Sequence, residues 1–284
     1  MKAYLEISIS SNEAQRELLI PTMMELGCEG FQETDTALLC YLEQSRWNEA
    51  KHEMLRAQIK RLLQNISVNA AIQFREFSDE NWNAQWEQSL QPIEIGNKLV
   101  IKPSWCIYAR RENRVIIEID PKMSFGTGYH ETTRLTLCLL EKYARAGINV
   151  LDVGTGTGIL AIASVKLGAS SATGIDMDEW SIENATENVI RNNVENQVTI
   201  SPMPLIEFSP LSFDLVCANL TLNTNLSFLS EFKRILVPNG VLLLSGLLNQ
   251  DRDQMIHGLI GSEFTVIEEI TENEWVALAA KLTS

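Results

Sequence analysis

The sequence has few of the residues that build disulfide frameworks or metal clusters. Its five cysteines are odd in number and widely scattered, with no CxxC pair, and its three histidines, His52, His130 and His257, lie far apart. This usage predicts neither a disulfide scaffold nor a zinc site. It is typical of proteins in the reducing cytoplasm, so we expect a cytoplasmic protein without a metal.

Long apolar segments are missing as well. No run reaches the roughly 20 residues that a bilayer-spanning helix needs. The first ten residues, MKAYLEISIS, alternate as a strand does and lack the apolar centre of a signal peptide. We therefore expect no association with a membrane.

Positive charge is scarce in this chain. Its 23 Lys and Arg residues stand against 37 Asp and Glu residues, which gives a formal net charge of -14. A field of this sign repels bare nucleic acid and attracts basic partners. We expect no direct binding of nucleic acid, although an acidic surface that only keeps a protein in solution would have the same composition.

The chain is long enough for two domains, with 284 residues. The pattern strand–helix–strand–strand–helix–strand over residues 1–75 predicts a small α+β domain of the split βαβ type. SDENWNAQWEQSL predicts a helix that begins at Ser78 and buries two tryptophans, within a linker helix at 76–91. Strands and helices alternate over 92–284, which predicts an α/β domain with a doubly wound, mostly parallel sheet.

A glycine-rich loop follows the strand in VLDVGTGTGIL. The chain turns through Gly154, Gly156 and Gly158 and then opens a helix. Glycine allows a close approach of the backbone to a ligand, and the helix start offers unpaired N–H groups. The next strand ends at Asp176, whose carboxylate can accept hydrogen bonds from both hydroxyls of a ribose.

Two nucleotide-like ligands compete for this loop. Dinucleotide sites prefer the spacing GxGxxG, whereas this chain has GxGxG preceded by Asp152. S-adenosylmethionine has no phosphate and carries a cationic sulfonium and an ammonium group, which suit an acidic residue better than a pyrophosphate does. We rank S-adenosylmethionine above a nicotinamide cofactor, with an unliganded glycine turn third.

FDLVCANLTLN predicts a strand from Asp214 to Ala218, and Asn219 follows at its carboxyl end. Ligands of open α/β sheets bind at the carboxyl ends of the strands. A carboxamide offers both an acceptor and a donor, so it can orient a methyl acceptor. The alternative is an ordinary turn residue, a position where asparagine is common.

A second glycine segment, DPKMSFGTGYHETT, precedes a predicted helix and can fold over the ligand pocket. Phe125 could cover the adenosine or methionine portion of the ligand, and Gly126 lets the backbone turn closely around it. Thr133 lies at the helix start, where a hydroxyl caps the helix or contacts the ligand. His130 has two equally open roles, a chemical one near the reacting centre or a structural hydrogen bond within the loop.

FGTGYHETT, LDVGTGTGILAIASVKLGA, GIDMD and CANL resemble, in order and spacing, the bacterial methyltransferase family of ribosomal large-subunit protein eleven. The segments ENWNAQWEQSLQPIEIGNKLVIKPSW and NEWVALAAKL are similar to that family too. The resemblance covers roughly residues 76–284. The glycine loop is shared by many methyltransferases, whereas FGTGxHxTT upstream of it is more specific.

The resemblance implies a seven-stranded Rossmann-like class I domain that uses S-adenosylmethionine for N-methylation of lysine side chains and of the terminal amine on that ribosomal protein. It also implies that the amino-terminal domain holds the substrate protein. We expect a monomer. The candidate catalytic residues are Asn219 and His130. The candidate cofactor-binding residues are Phe125, Gly126, Thr133, Gly154, Gly156, Asp176 and Asn219.

The expected chemistry is an in-line attack of a neutral amine on the methyl carbon. Lysine has a reference pKa of about 10.4, and a nearby sulfonium in a desolvated pocket disfavours its charged form. The amine can then lose its proton to water, while the protein aligns the nitrogen with the methyl carbon and the sulfur.

Two other functions remain open: a methyltransferase of another protein or a small amine, and a non-catalytic cofactor-binding module.

Overall fold

The chain forms two compact units, Met1–Gln85 and Trp86–Ser284. The computed structural model describes residues 3–12, 15–16, 19–20, 23–24, 26–28, 30–34, 36–43, 55–61, 63, 70–78, 90–109, 113–120 and 124–282. Among the helices in these ranges, none is long and apolar enough to cross a membrane.

The first unit is built on an antiparallel sheet with the strand order β2-β3-β1-β4. The strands are β1 (Ala3–Ser10), β2 (Gly30–Glu33), β3 (Ala37–Glu43) and β4 (Ile72–Ser78). Residues 55–61 are helical, as are the described residues at 15–16, 19–20 and 23–24. This order of elements agrees with the predicted split βαβ pattern.

One face of this sheet is buried and the other is polar. Leu5, Ile7 and Ile9 of β1 are at most 1% exposed and pack in one apolar cluster with residues of the helical segments. On the opposite face, the hydroxyl of Tyr41 donates to Glu6 at 3.3 Å. The period-2 alternation of the strand is the cause, because successive side chains point to opposite faces.

The start of the predicted linker helix needs correction. Residues 76–78 belong to β4, where Phe77 pairs with Tyr4 and Ser78 with Ala3. Pairing with β1 continues the strand and outweighs the capping signal at Ser78. Residues 79–89, which include both tryptophans of that helix, lie outside the described part, and the domain boundaries at 75 and 92 stay predictions.

The second unit contains a seven-stranded sheet with the order β10-β9-β8-β11-β12-β14-β13. Neighbouring strands from β10 to β12 run parallel, whereas β14 runs antiparallel to both of its neighbours, β12 and β13. This arrangement confirms the predicted mostly parallel sheet. The strands are β8 (Asn149–Val153), β9 (Ser171–Ile175), β10 (Val198–Ser201), β11 (Phe213–Asn219), β12 (Leu236–Leu248), β13 (Phe264–Glu272) and β14 (Trp275–Leu282).

A three-stranded sheet precedes it, formed by β5 (Ile93–Ile95), β6 (Leu99–Lys102) and β7 (Val115–Glu118). The helices of this unit are α1 (Glu131–Tyr143), α2 (Ile159–Lys166), α3 (Glu179–Arg191), α4 (Leu222–Ile235) and α5 (Arg252–Gly261). Short 3-10 helices lie at Leu205–Glu207 and Asn249–Asp251.

Helices cover both faces of the large sheet. Successive residues of the central strands point to opposite faces of the sheet. Val150 and Leu151, for example, belong to two different apolar clusters. The first cluster contains residues of α1 and α2, and the second contains residues of α4 and α5. Strands buried on both faces contain continuous apolar runs, as in the stretch Leu215–Ala218 of β11.

Candidate cofactor and active site

The strand order reverses between β8 and β11. From β8 the chain continues to β9 on one side, whereas from β11 it continues to β12 on the other. Such a reversal opens a crevice at the carboxyl ends of the strands, where open α/β sheets bind ligands. Gly154, Asp176 and Asn219 lie at three of these ends, on β8, β9 and β11.

Backbone conformation and contacts within the chain favour glycine in the loop of VLDVGTGTGIL. Gly154 and Gly156 have φ values of 71° and 53°, which favour glycine. A Cβ at Gly154 would lie 2.5 Å from Cδ2 of Leu220, and one at Gly156 would lie 2.2 Å from the carbonyl oxygen of Phe125. At Gly156 a backbone carbonyl of the protein therefore occupies the space that the sequence pattern assigned to a ligand, whereas near Gly154 the neighbouring group is only the end of the Leu220 side chain.

Phe125 and Gly126, of the segment DPKMSFGTGYHETT, lie against this loop. The backbone N–H of Thr157 donates to the carbonyl oxygen of Phe125 at 2.9 Å, and its hydroxyl donates to the carbonyl oxygen of Gly126. Gly126 has a φ of 98°, a conformation that other residues rarely adopt. Thr157, which the sequence pattern did not single out, therefore joins the two loops.

Asp176 is fixed by backbone N–H groups. Its Oδ2 accepts from Gly156 at 3.0 Å, and its Oδ1 accepts from Asp178 at 3.1 Å. A carboxylate oxygen has a second acceptor position, so both oxygens retain capacity for hydroxyl groups of a ligand. The half-buried side chain is thus held in one orientation at the tip of β9.

Two exposed methionines lie near the same tip. Met177 follows Asp176 and is 79% exposed, and Met203, which follows β10, is 38% exposed. The tips of β9 and β10 are adjacent, because the N–H of Asp176 donates to the carbonyl oxygen of Ser201 at 3.3 Å. Thioether side chains are soft, adaptable surfaces for flat apolar groups. Nothing in the local sequence marks these methionines, because their exposure depends on the fold.

Asp152 of β8 is a completely buried carboxyl group behind the glycine loop. Its Oδ2 accepts from the Thr155 hydroxyl at 2.6 Å and from the N–H of Ala161 at 3.3 Å. Its Oδ1 has no hydrogen-bond partner in the part of the chain that the structure describes. Burial raises the pKa of Asp152 to about 7, and the nearby Asp176 adds to this shift.

Asn219 and Thr133 meet at the end of β11. The Asn219 Nδ2 donates to the hydroxyl oxygen of Thr133 at 3.4 Å. The Asn219 Oδ1 is buried and, among the described residues, has no partner. The fold therefore brings together two predicted site residues from distant segments and leaves one buried amide oxygen without a partner among the described residues.

His130 is the N-cap of α1. Its Nδ1 accepts from the N–H of Thr132 at 3.3 Å and lies 2.9 Å from that residue's hydroxyl. With Nδ1 as an acceptor, the neutral ring carries its proton on Nε2. Of the two roles that the sequence left open, these contacts favour the structural one.

Aromatic rings flank His130 on two sides. Its centroid lies 5.4 Å from that of Phe125 and 5.0 Å from that of Trp275 on β14. Phe125 is 55% exposed, whereas Trp275 is half-buried. We call Phe125, His130 and Trp275 the aromatic group. No sequence pattern singles out Trp275, since only the sheet order brings β14 close to α1.

The chemistry of these residues fits S-adenosylmethionine. Asp152, buried behind the loop with an unpartnered Oδ1, offers a negative charge to a nearby cation when its carboxyl group is ionised. Asp176 offers acceptors for ribose hydroxyls, and Met177 and Met203 offer apolar surface for a base. A pyrophosphate would instead face two carboxylates, which would repel it.

Comparisons with known proteins agree with this chemistry. A family model described as ribosomal protein L11 methyltransferase (PrmA) matches residues 3–283. The ribosomal protein L11 methyltransferase of Chlorobaculum parvum is 37% identical over 279 residues, covering 96% of this chain and 95% of the relative. That of Pelotomaculum thermopropionicum is 38% identical over 242 residues, covering 85% of this chain and 78% of the relative.

A solved structure is similar as well. The crystal structure of ribosomal protein L11 methylase from Lactobacillus delbrueckii subsp. bulgaricus superposes with a TM-score of 0.64 at 28% identity. The superposition covers 69% of this chain and 100% of that one.

Proposed function

Because this chain belongs to the ribosomal protein L11 methyltransferase family, we propose that it methylates lysine side chains and the terminal amine of L11. L11 is the large-subunit protein eleven of the sequence resemblance. The methyl donor is S-adenosylmethionine, which supplies an electrophilic methyl group on a positively charged sulfur.

One observation carries the choice of an amine as the acceptor. The Asn219 Oδ1 is buried at the tip of β11 and has no partner among the described residues, while its Nδ2 is engaged by Thr133. A fixed carbonyl oxygen accepts a hydrogen bond from the N–H of a neutral amine and so orients the lone pair of its nitrogen. Asn219 is thus our candidate for the residue that holds the attacking nitrogen.

The methyl donor would be held by residues at the tips of β8, β9 and β10. Asp152 faces its cationic groups, Asp176 accepts from the ribose, and Met177 and Met203 cover the base. We assign the backbone of Gly154 and Gly156 to the same pocket. Gly126 and Phe125, which contact the glycine loop, would cover the bound methyl donor.

The aromatic group would receive the lysine chain. Its rings cover the apolar stem of a lysine and exclude water from the amine, which favours the neutral form. His130 does not need to act as a base in this proposal, because its Nδ1 caps α1 and the proton can leave to water.

The amino-terminal unit would recognise L11. The chain's formal net charge of -14 would attract a free basic ribosomal protein and repel ribosomal RNA. We therefore propose that a monomer modifies L11 in the cytoplasm before ribosome assembly, without direct contact with nucleic acid.

Mass spectrometry of L11 tests this function. Incubation of purified L11 with the protein and S-adenosylmethionine should add methyl groups to lysines and to the terminal amine, and free L11 should be labelled faster than assembled ribosomes. A reaction with the Asn219→Ala variant is the control. Methylation of free amines or another protein without modification of L11 would contradict the proposal. Binding of the methyl donor without any transfer would mean a non-catalytic module.

Replacement of Asp176 by alanine should weaken binding of the methyl donor about tenfold to a hundredfold, because hydrogen bonds to a charged group are lost. Calorimetric titration with S-adenosylmethionine measures this. Asp178→Ala is the matched control. In the unmodified protein, Asp178 caps α3, because its Oδ2 accepts from the N–H of Ser181 at 3.1 Å. That variant should lose about 1 kcal/mol of stability but keep its affinity. Unchanged affinity in Asp176→Ala would remove the ribose role.

Binding of the methyl donor should tighten as the pH rises toward 7. The raised pKa of about 7 means that the free protein keeps Asp152 protonated at lower pH. A cationic ligand favours the carboxylate, so binding must release that proton and becomes about fivefold tighter from pH 6 to pH 7.

The same raised pKa has the opposite effect on the ligand-free fold. The unfolded chain ionises this carboxyl near pH 4, so its contribution to stability decreases as the pH rises from about 4 to about 7. Titrations at several pH values check both effects. In the Asp152→Asn variant, the affinity for the methyl donor should depend less on pH. The same pH dependence as in the wild-type protein would exclude Asp152 as its cause.

A further inference from the structure

The backbone that follows Asn219 is pressed against β12. Asn219 is paired in register with Ser245, and the N–H of Leu220 donates to the carbonyl oxygen of Ser245 at 3.2 Å. Gly246 has a φ of 77°, and a Cβ there would lie 2.3 Å from the carbonyl oxygen of Leu220. This contact leaves no room for a side chain between the two segments.

A buried asparagine ties these segments together. Asn225, in the first turn of α4, is 0% exposed. Its Nδ2 donates to the carbonyl oxygen of Leu220 at 2.8 Å and to that of Ser245 at 3.1 Å. Two carbonyl acceptors on one nitrogen require an NH₂ group, so the orientation of this amide is unambiguous.

The burial of Asn225 leaves one of its polar atoms without a hydrogen bond. Its Oδ1 is buried and has no hydrogen-bond partner in the described part of the chain. Unsatisfied buried acceptors are rare in folded proteins, because they lose their bonds to water without replacement. A side chain with this cost to stability is a candidate for a role other than stability alone.

Ser245 extends the contact to the other side of Asn219. It is 0% exposed, and its hydroxyl donates to the carbonyl oxygen of Thr132 at 3.0 Å. The next residue, Thr133, is the one that accepts from the Asn219 Nδ2. The backbone on both sides of the Asn219–Thr133 hydrogen bond is therefore attached to one point of β12.

We propose that Asn225 and Ser245 are positioning residues for methyl transfer. Together they set the direction of the Asn219 carboxamide, so that its Oδ1 faces the attacking amine. Both side chains are fully buried and act through Asn219. This inference rests on the proposed function, because it assumes that Asn219 orients the amine.

The main test is Asn225→Leu, which keeps the side-chain volume similar and removes the NH₂ group. We expect kcat on L11 to fall about tenfold to a hundredfold, because small errors in the placement of a reacting group reduce the rate by this amount. KM for L11 and the dissociation constant of the methyl donor should change by less than about threefold, since neither binding surface includes Asn225.

A double-mutant cycle separates positioning from general destabilisation. If Asn225 acts through Asn219, the change Asn225→Leu should have little further effect on kcat in an Asn219→Ala background. A loss of the same factor in both backgrounds would mean that Asn225 acts independently, and it would overturn the proposal.

Asn192→Leu is the matched control. Asn192 is 5% exposed and its Nδ2 also donates to two carbonyl oxygens, those of Glu118 at 2.6 Å and Asn188 at 2.9 Å. This variant should lose stability without a selective fall in kcat.

Ser245→Ala provides a second and milder change. It removes only the hydroxyl that donates to Thr132, and we expect a fall in kcat of about threefold to tenfold with the same dependence on Asn219. This variant replaces Asn225→Leu as the main test if Asn225→Leu does not fold.

Wild-type kcat in folded Asn225→Leu or in Ser245→Ala would overturn this inference while the proposed function stands. A wild-type protein that binds the methyl donor but leaves L11 unmodified would overturn both.

Discussion

Replacement of Gly156 by alanine should weaken binding of the methyl donor by more than about a hundredfold. Gly156 has a φ of 53°, where a side chain costs about 1–3 kcal/mol of strain. The new Cβ would also lie 2.2 Å from the carbonyl oxygen of Phe125, so the two loops would have to separate. Their separation moves the N–H that fixes Asp176, and it also moves Phe125 and Gly126, which we assign to the same pocket, so that more than the ribose contact is lost.

Gly147→Ala is the control that separates strain from the clash. Gly147 also has a positive φ, 86°, but a Cβ there meets nothing within 4 Å. We expect a loss of about 1–2 kcal/mol in the free energy of unfolding and an unchanged affinity for the methyl donor. Denaturant unfolding and calorimetric titration measure the two quantities. Equal affinities in Gly156→Ala and Gly147→Ala would show that the contact between the loops does not shape the site.

Local patterns were sufficient to predict much of the fold. The alternation in AYLEISI marks β1, and the mainly apolar stretches ending at Val153 and Ala218 mark central parallel strands. The glycine loop and the acidic residue after the next strand follow from short-range geometry, because the chain must turn and open a helix there. The same geometry placed Gly154, Asp176 and Asn219 at neighbouring strand ends.

Contacts between distant segments could not be predicted in this way. Trp275 reaches His130 only because β14 lies beside β12 in the sheet. Glycine at position 156 looked like a residue that approaches a ligand, whereas the carbonyl oxygen of Phe125 fills that space. At Ser78, the local capping signal for a helix was outweighed by pairing with β1.

Removal of residues 1–85 should abolish methylation of L11 and preserve binding of the methyl donor. Every residue that we assign to the methyl donor lies in the unit Trp86–Ser284, which has its own apolar clusters. The amino-terminal unit contributes a sheet whose polar face carries Glu6 and Tyr41, groups suited to a basic partner. We expect L11 methylation to fall at least a hundredfold because the substrate is no longer held.

Two measurements on the shortened chain decide the matter. Its affinity for S-adenosylmethionine should match that of the full chain, which shows that the remaining unit is folded. Its slow methylation of a free amine should equal that of the full chain, because the residues proposed to hold the nitrogen are unchanged. L11 methylation at the full rate by residues 86–284 would assign recognition of the substrate to the catalytic unit. In that case the acidic crevice, rather than the separate sheet, would have to select the basic protein.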